Sequence, residues 1–364
     1  MNRRLAAASA WLLLSVAPAG ASASAGAAEI VANPVVLTYA SPYSPNHTFS
    51  LADRTWISWV EEHSNGHLRI HPNWSGALLS SDQSMIELRH GVADIGLITP
   101  IYARGGEQLI RTQAGFYDGA RTFEQQVAMY RCLADTEPEF ARELSGLKVL
   151  AIQGGTMPGI VTRTRAVSSL EDLRGLRLRA PSELLGVLRQ LGADPVSMPM
   201  GEVYSALAKG VLDGVLAPAD TLRALHFGEV AKYYWSLEIP RGAYPARAME
   251  LRRWLRLSPE DQSLLEQSTA VWEAALAAET RAAEKAGQEM GERQGVVFQK
   301  ATAEDQRQFD ALYDRETERS AAALTAYGIS GPEIYRHARE LSAGLAATGE
   351  VQCRVAGAGA RIAP

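Results

Sequence analysis

LRLRAPSELLGVLRQLGADPVSMPMGEVYSALAKGVLDGVLA, residues 176–217, packs three strand signals and two helix signals into one short run. Residues 176–180 alternate with period 2, which sets Leu176 and Leu178 on one face and Arg177 and Arg179 on the other. A helix is expected at 182–191, a strand at 195–198, a helix at 201–209 and a strand at 214–216. Strands separated by helices imply a parallel sheet with right-handed crossovers. The same rhythm occurs upstream. Strand 35–40 precedes a helix carrying Phe49, Ala52, Trp56, Trp59 and Val60 at helical spacing. Strand 68–72, a helix at 81–89 capped by Ser81 or Asp82, and strand 93–98 follow. Strand 148–152 leads into the glycine-rich joint Gln153-Gly154-Gly155-Thr156, after which 159–164 begins a second lobe. Residues 259–293 read as one helix by propensity; about 30 residues reach roughly 45 Å, enough to run along both lobes. Residues 296–298 form a last strand, and 304–327 and 333–341 are amphipathic helices. The fold expected is α/β: a two-lobed clamshell with a long helix spanning both lobes. Lobe I takes 31–153 plus 242–292, lobe II 154–241 plus 293–345, and 346–364 is a flexible tail.

The chain has 364 residues, 46% of them hydrophobic and 21% charged, a composition that excludes disorder, collagen and a polytopic membrane protein. Arg3 and Arg4, the apolar run 5–17 and the small-residue stretch after it form a secretory signal covering 1–28. Its loss removes two arginines and no acid, taking the formal charge from −5 to −7. No cysteine follows the apolar run, so a freely diffusing periplasmic protein is expected rather than a lipoprotein; a monomer is expected separately. The charges are interspersed, and no nucleic-acid surface is expected. Cys132 and Cys353 are the two cysteines; they are either bridged or independent, since sequence does not supply their separation.

In open α/β sheets, ligands bind beyond the carboxyl ends of the strands. That rule nominates loops 41–47, 74–76, 99–102, 154–157 and 180–181, and with them Tyr43, His47, Trp74, Tyr102 and Thr156; Phe116 and Tyr244 join as further aromatic walls. His47 either donates to a ligand or makes a local turn contact. Arg179 stands nearest the carboxyl end of its strand, and its planar fork matches a carboxylate. His63, His67 and His71 are spaced by four, but Gly66 interrupts any helix through them, so no metal site is expected. No cofactor motif, nucleophile elbow or phosphate loop is present.

The order and spacing of these pieces resemble the periplasmic solute receptors of tripartite ATP-independent (TRAP) transporters, dicarboxylate-binding type. The resemblance rests on Asp172-Leu173-Arg174-Gly175-Leu176, Leu178-Arg179-Ala180-Pro181, Leu191-Gly192-Ala193, Glu202-Val203-Tyr204, Gly210-Val211-Leu212-Asp213-Gly214 and Glu229-Val230. In the first lobe it rests on Ser64-Asn65-Gly66, Gly76-Ala77-Leu78 and Gly91-Val92-Ala93-Asp94-Ile95-Gly96. It covers roughly 35–340. It implies that two lobes close over an organic acid, that Arg179 binds its carboxylate, that Arg165 matches a second arginine near the ligand in some members, and that integral-membrane TRAP subunits are the partner. Ala217 stands where many members carry an asparagine that contacts ligand, which makes this pocket more apolar and favours aromatic or oxo-acids. The alternatives are a ligand-sensing protein partnered with a sensor kinase, and a secreted α/β hydrolase or lyase.

Overall fold

The computed structural model describes residues 33–103 and 105–353. The export signal expected at 1–28, and residues 354–364 of the tail, lie outside them. Eleven strands are found among the described residues: β1 (Val35–Ala40), β2 (Leu68–Asn73), β3 (Ile95–Leu97), β4 (Leu147–Gln153), β5 (Gly159–Thr162), β6 (Arg177–Arg179), β7 (Asp194–Val196), β8 (Gly214–Ala217), β9 (Tyr233–Ser236), β10 (Tyr244–Glu250) and β11 (Val297–Lys300). They form a five-stranded sheet, β2-β1-β3-β10-β4, and a six-stranded sheet, β11-β9-β5-β8-β6-β7.

The sheets are mixed rather than wholly parallel. In the first, β10 runs antiparallel to both β3 and β4. In the second, β5 runs antiparallel to both β8 and β9. Chain path explains both reversals. The chain leaves β4 at its carboxyl end and enters the second sheet from that same side as β5; it leaves β9 likewise and returns as β10. The first strand after each crossing therefore points away from the junction. β9 and β10 were not legible as strands, because β10 reads Tyr-Pro-Ala-Arg-Ala-Met-Glu and is buried along its whole length, with no alternation to detect.

The long helix, Pro259–Arg293, begins where Ser258 accepts from the Asp261 N–H and Pro259 occupies the first turn. Its first half covers the five-stranded sheet. Trp272 stacks on Trp56 of helix Thr48–His63 with ring centroids 3.7 Å apart, and Trp56 Nε1 donates to Ser268 Oγ at 2.8 Å. Its second half packs on the other lobe: Glu284 accepts from the Ala219 and Asp220 N–H groups and from Thr156 Oγ1. Gly287 lets that approach happen, since a Cβ there would lie 2.1 Å from the Ala219 carbonyl oxygen.

Other boundaries differ from expectation. The helix expected at 81–89 spans Ser84–Arg89, with Ser81 and Asp82 in the preceding turn. The segment 293–345 does not belong to one lobe. Phe309 and Tyr313 pack beneath the second sheet, whereas Leu324, Ile334, Ala338, Leu341 and Leu345 complete the core of the first. The tail is not free at 346 either, because helix Gly331–Thr348 runs past it to a left-handed Gly349 (φ 78°). Beyond that cap Cys353 is disulfide-bonded to Cys132 of helix Phe123–Thr136, with Cα atoms 5.1 Å apart. No helix among the described residues is long and apolar enough to cross a membrane.

Candidate functional site

The reversals decide what meets at the junction. Carboxyl ends of β3, β6 and β8 face it, together with the amino ends of the reversed strands β5 and β10. These ends enclose a cavity of about 90 Å³ lined by Tyr102 after β3, Arg179 and Pro181 after β6, Pro218 after β8, Pro158 before β5 and Tyr244 at the start of β10.

Arg179 is 2% exposed, and its neighbour Leu178 is fully buried. Arg177, one position further from the junction on the same face, is exposed and pairs with Asp194 at 3.8 Å. The Arg179 Nε donates to the Met198 carbonyl and Nη2 to the Tyr102 hydroxyl, both at 3.0 Å. Its guanidinium carbon lies 5.5 Å from the Tyr102 ring centre. A guanidinium has five N–H donors, and two are used here. The three that remain sit on the Nη1/Nη2 end, the edge that engages a carboxylate bidentately. Among the described residues no acid forms an ion pair with Arg179. A buried guanidinium with free donors beside a cavity is chemically suited to an anion.

Two charged residues in the wall were not singled out from sequence. Arg241 lies in the crossing before β10; its Nη1 donates to the Thr156 carbonyl at 3.2 Å, and its guanidinium rests on Gly155, where a Cβ would be 2.3 Å from Cζ. A side chain at 155 would thus displace the Arg241 guanidinium from this position, and no unusual backbone angle calls for the glycine. The available sequence signal for Arg241 was an arginine set between the two chain breakers Pro240 and Gly242. Glu183 follows Arg179 by four residues, in the short 3₁₀ turn Ser182–Leu184. Burial pushes its carboxyl up to about 7, while its own backbone N–H, Arg179 and Arg241 pull the other way. The strand-end rule stops at Pro181 and so passes over it.

Tyr244 is held from behind. Gln153 Nε2 donates to its hydroxyl at 2.8 Å, Arg247 Nη1 donates to Gln153 Oε1, and Arg247 Nε donates to the buried Asp53 at 3.0 Å. Tyr39 and Trp272 also donate to Asp53. Accepting from Gln153 leaves the Tyr244 proton free to point elsewhere. Burial pushes that hydroxyl up to about 12, so it stays protonated.

The remaining expected residues fall in different places. His47 caps helix Thr48–His63, its Nδ1 accepting from the Phe49 N–H at 3.2 Å, so the local contact holds. Burial and then Arg247 lower its imidazole to about 4. Tyr43 stacks on that ring with centroids 4.1 Å apart; burial lifts its hydroxyl well above the usual range, and Tyr102, Tyr244, Arg179 and Arg241 are all near enough to influence it. Tyr43 stands behind the wall rather than in it. Trp74 packs edge-on against Tyr39 at 5.5 Å, inside the first lobe. Thr156 Oγ1 donates to Glu284 at 3.0 Å. Ala217 is fully buried as the last residue of β8, opposite Gly159. Phe116 is also buried, against Tyr335. Arg165 is a correction. It follows the reversed strand β5, so it lies beside the amino end of β6, exposed, with Nη1 donating to the Arg174 carbonyl at 3.3 Å. The junction is at the opposite pole.

Larger clefts of about 530, 580 and 540 Å³ lie elsewhere. They suit an anion poorly. In the first, Arg131 is already paired with Glu273 at 2.5 Å; the second has no arginine or lysine; the third sets Asp220, Glu229 and Glu279 against Arg223. Among the described residues no group of three or more His, Cys, Asp or Glu side chains could hold a metal ion.

Two mixed sheets joined by two crossings and a shared helix, with a buried guanidinium at their junction, define a two-lobed solute receptor of the periplasmic-binding type. The chain belongs to the bacterial extracellular solute-binding protein family 7, whose model matches residues 39–323. That family comprises receptors rather than enzymes. Among solved structures, the fold is similar to a TRAP solute-binding protein from Rhodoferax ferrireducens T118 in complex with copurified benzoate, at 20% identity and a TM-score of 0.77 over 86% of this chain and 99% of that one. A TRAP periplasmic solute-binding protein from Bordetella bronchiseptica with bound (R)- and (S)-mandelate matches at 21% identity and a TM-score of 0.75, over 86% of this chain and all (100%) of that one. Among curated proteins, a solute-binding protein of Albidiferax ferrireducens is 27% identical over 187 residues, 49% of this chain and 53% of that one. The sialic acid-binding periplasmic protein of Vibrio cholerae is 26% identical over 178 residues, 48% of this chain and 54% of that one. The chain thus spans about half the length of these two curated relatives.

Proposed function

We propose that this protein is a periplasmic receptor that binds one small organic acid between its lobes and delivers it to the integral-membrane subunits of a TRAP transporter. The observation that carries this reading is Arg179: a buried guanidinium without an acidic partner, its bidentate end free, at the junction of both sheets. Arg179 takes the carboxylate, and Tyr102 fixes the guanidinium in plane. Arg241 adds a second positive charge. The rest of the wall is largely apolar, with Ile101, Leu184, Met200 and Leu216 beside several prolines, so shape selects the carbon skeleton. That supports an aromatic or similarly compact acid, in keeping with the benzoate and mandelate bound by the two structural relatives. The crossings at 153–158 and 237–243 are where the lobes part to admit it.

The test is a thermal-shift screen of aromatic, hydroxy and oxo acids against neutral amides of the same skeletons. A ligand at 100 times its dissociation constant stabilises the fold by about 2.7 kcal/mol. Acids are expected to raise the melting temperature and amides to leave it unchanged. A protein stabilised by no acid, or equally by the amides, is not this receptor.

A further inference from the structure

The cavity wall is unbalanced in hydrogen-bonding terms. Donors predominate: the free end of Arg179, the Arg241 guanidinium, and the hydroxyl protons of Tyr102 and Tyr244, each of whose oxygens already accepts from a neighbour. Against them stands a carboxylate. Glu183 Oε2 is sealed from solvent and has no hydrogen-bond partner. The groups around it do not supply one. Tyr313, on helix Ala303–Ala323 behind it, gives its hydroxyl proton to the Gly115 carbonyl at 2.7 Å. Tyr244 faces it from β10. Arg179 and Arg241 act on it through space without forming an ion pair. On the far side Arg111 and Thr317 share a second small cavity with it. A buried acceptor left unpaired costs free energy that a partner from the ligand removes.

We propose that Glu183 is a specificity-determining residue: its Oε2 pairs with a hydroxyl on the organic acid whose carboxylate Arg179 holds, so that the receptor selects hydroxy acids over their unsubstituted counterparts. This rests on the receptor reading above. A hydroxyl is the substituent best matched to the site. Burial holds Glu183 near the point where neutral and ionised forms coexist at neutral pH. A hydroxyl donates to the ionised form and accepts from the neutral one. A second carboxylate suits only the neutral form, an ammonium group is repelled by Arg179 and Arg241, and a methyl group pairs with neither form.

The test is calorimetric titration at pH 7.5 with three matched pairs: benzoate and 3-hydroxybenzoate, phenylacetate and mandelate, propionate and lactate. Wild type, Glu183→Leu and Glu183→Gln are compared. The expected result is at least about a tenfold preference of wild type for the hydroxy member of a pair that binds. Glu183→Leu should abolish or invert that preference while still binding the unsubstituted acid, and Glu183→Gln, which keeps an acceptor, should retain most of it. Acids that bind wild type with no preference, or a preference that persists in Glu183→Leu, overturn the role of Glu183 and leave the receptor reading intact. A panel in which no acid binds wild type overturns both.

Discussion

Replacing Arg179 by methionine removes the guanidinium while keeping the length of the stem. The protein should tolerate it, because no ion pair is broken: what is lost is one hydrogen bond to the Met198 carbonyl and one to the Tyr102 hydroxyl. Net losses of about 1 kcal/mol each are offset by relief from burying a charge, so unliganded stability should change by less than about 1.5 kcal/mol. Ligand binding should fail. Truncating one partner of a buried, hydrogen-bonded charge pair costs about 2–5 kcal/mol, which corresponds to a dissociation constant raised roughly 30-fold to several thousand-fold. Arg179→Lys keeps the charge but loses the fork, and should fall between. The assay is calorimetric titration with the best acid of the screen, alongside melting of each variant without ligand. If Arg179→Met melts like wild type yet binds that acid within about threefold of it, the carboxylate does not sit on Arg179. If the unliganded variant is instead destabilised by several kcal/mol, Arg179 is holding the lobe together and its burial is structural.

Reduction of the Cys132–Cys353 bridge, or Cys353→Ser, should lower stability by about 2–5 kcal/mol, because the bridge closes a loop with a sequence separation of 221; melting with and without reductant reads it. Asp220 lies beside Glu284 with Oδ1 unpartnered, and burial followed by Glu284 raises its carboxyl to about 7, against the pull of Arg241. The unfolded carboxyl ionises near pH 4, so stability contributed at acid pH is lost as pH rises from there to about 7 and changes no further above it. Asp220→Asn should remove that slope and gain a few kcal/mol at pH 8; denaturant titrations at pH 5 and pH 8 that give wild type and variant the same difference would disprove it.

Much of this architecture was legible because its signals are local. The long helix starts at Ser258 and Pro259 for capping reasons visible in sequence, and Arg179 is placed by period-2 alternation in three residues of strand. The first loss comes from the direction of the chain after a crossing. Arg165 was expected at the site through the family resemblance alone, and nothing in Gly159–Thr162 reveals that the strand before it is reversed. Tyr244 has its place for the complementary reason: it begins a reversed strand. β10 itself was hidden because its arginine is neutralised by Asp53, 194 residues away in sequence. Glu183 and Arg241 were overlooked because each occupies a turn whose local chemistry is ordinary. Their importance arises only where two lobes meet.

The bridge from Cys132 to Cys353 also sets an order of events. Every strand of both sheets precedes Cys353, and all of the second sheet lies inside the loop the bridge closes. The bond therefore cannot form before every strand of both sheets has been made. Once formed, it ties the segment after helix Gly331–Thr348 to helix Phe123–Thr136 of the first lobe. A cut anywhere between the two cysteines would leave two fragments still covalently joined, distinguishable from the whole only after reduction.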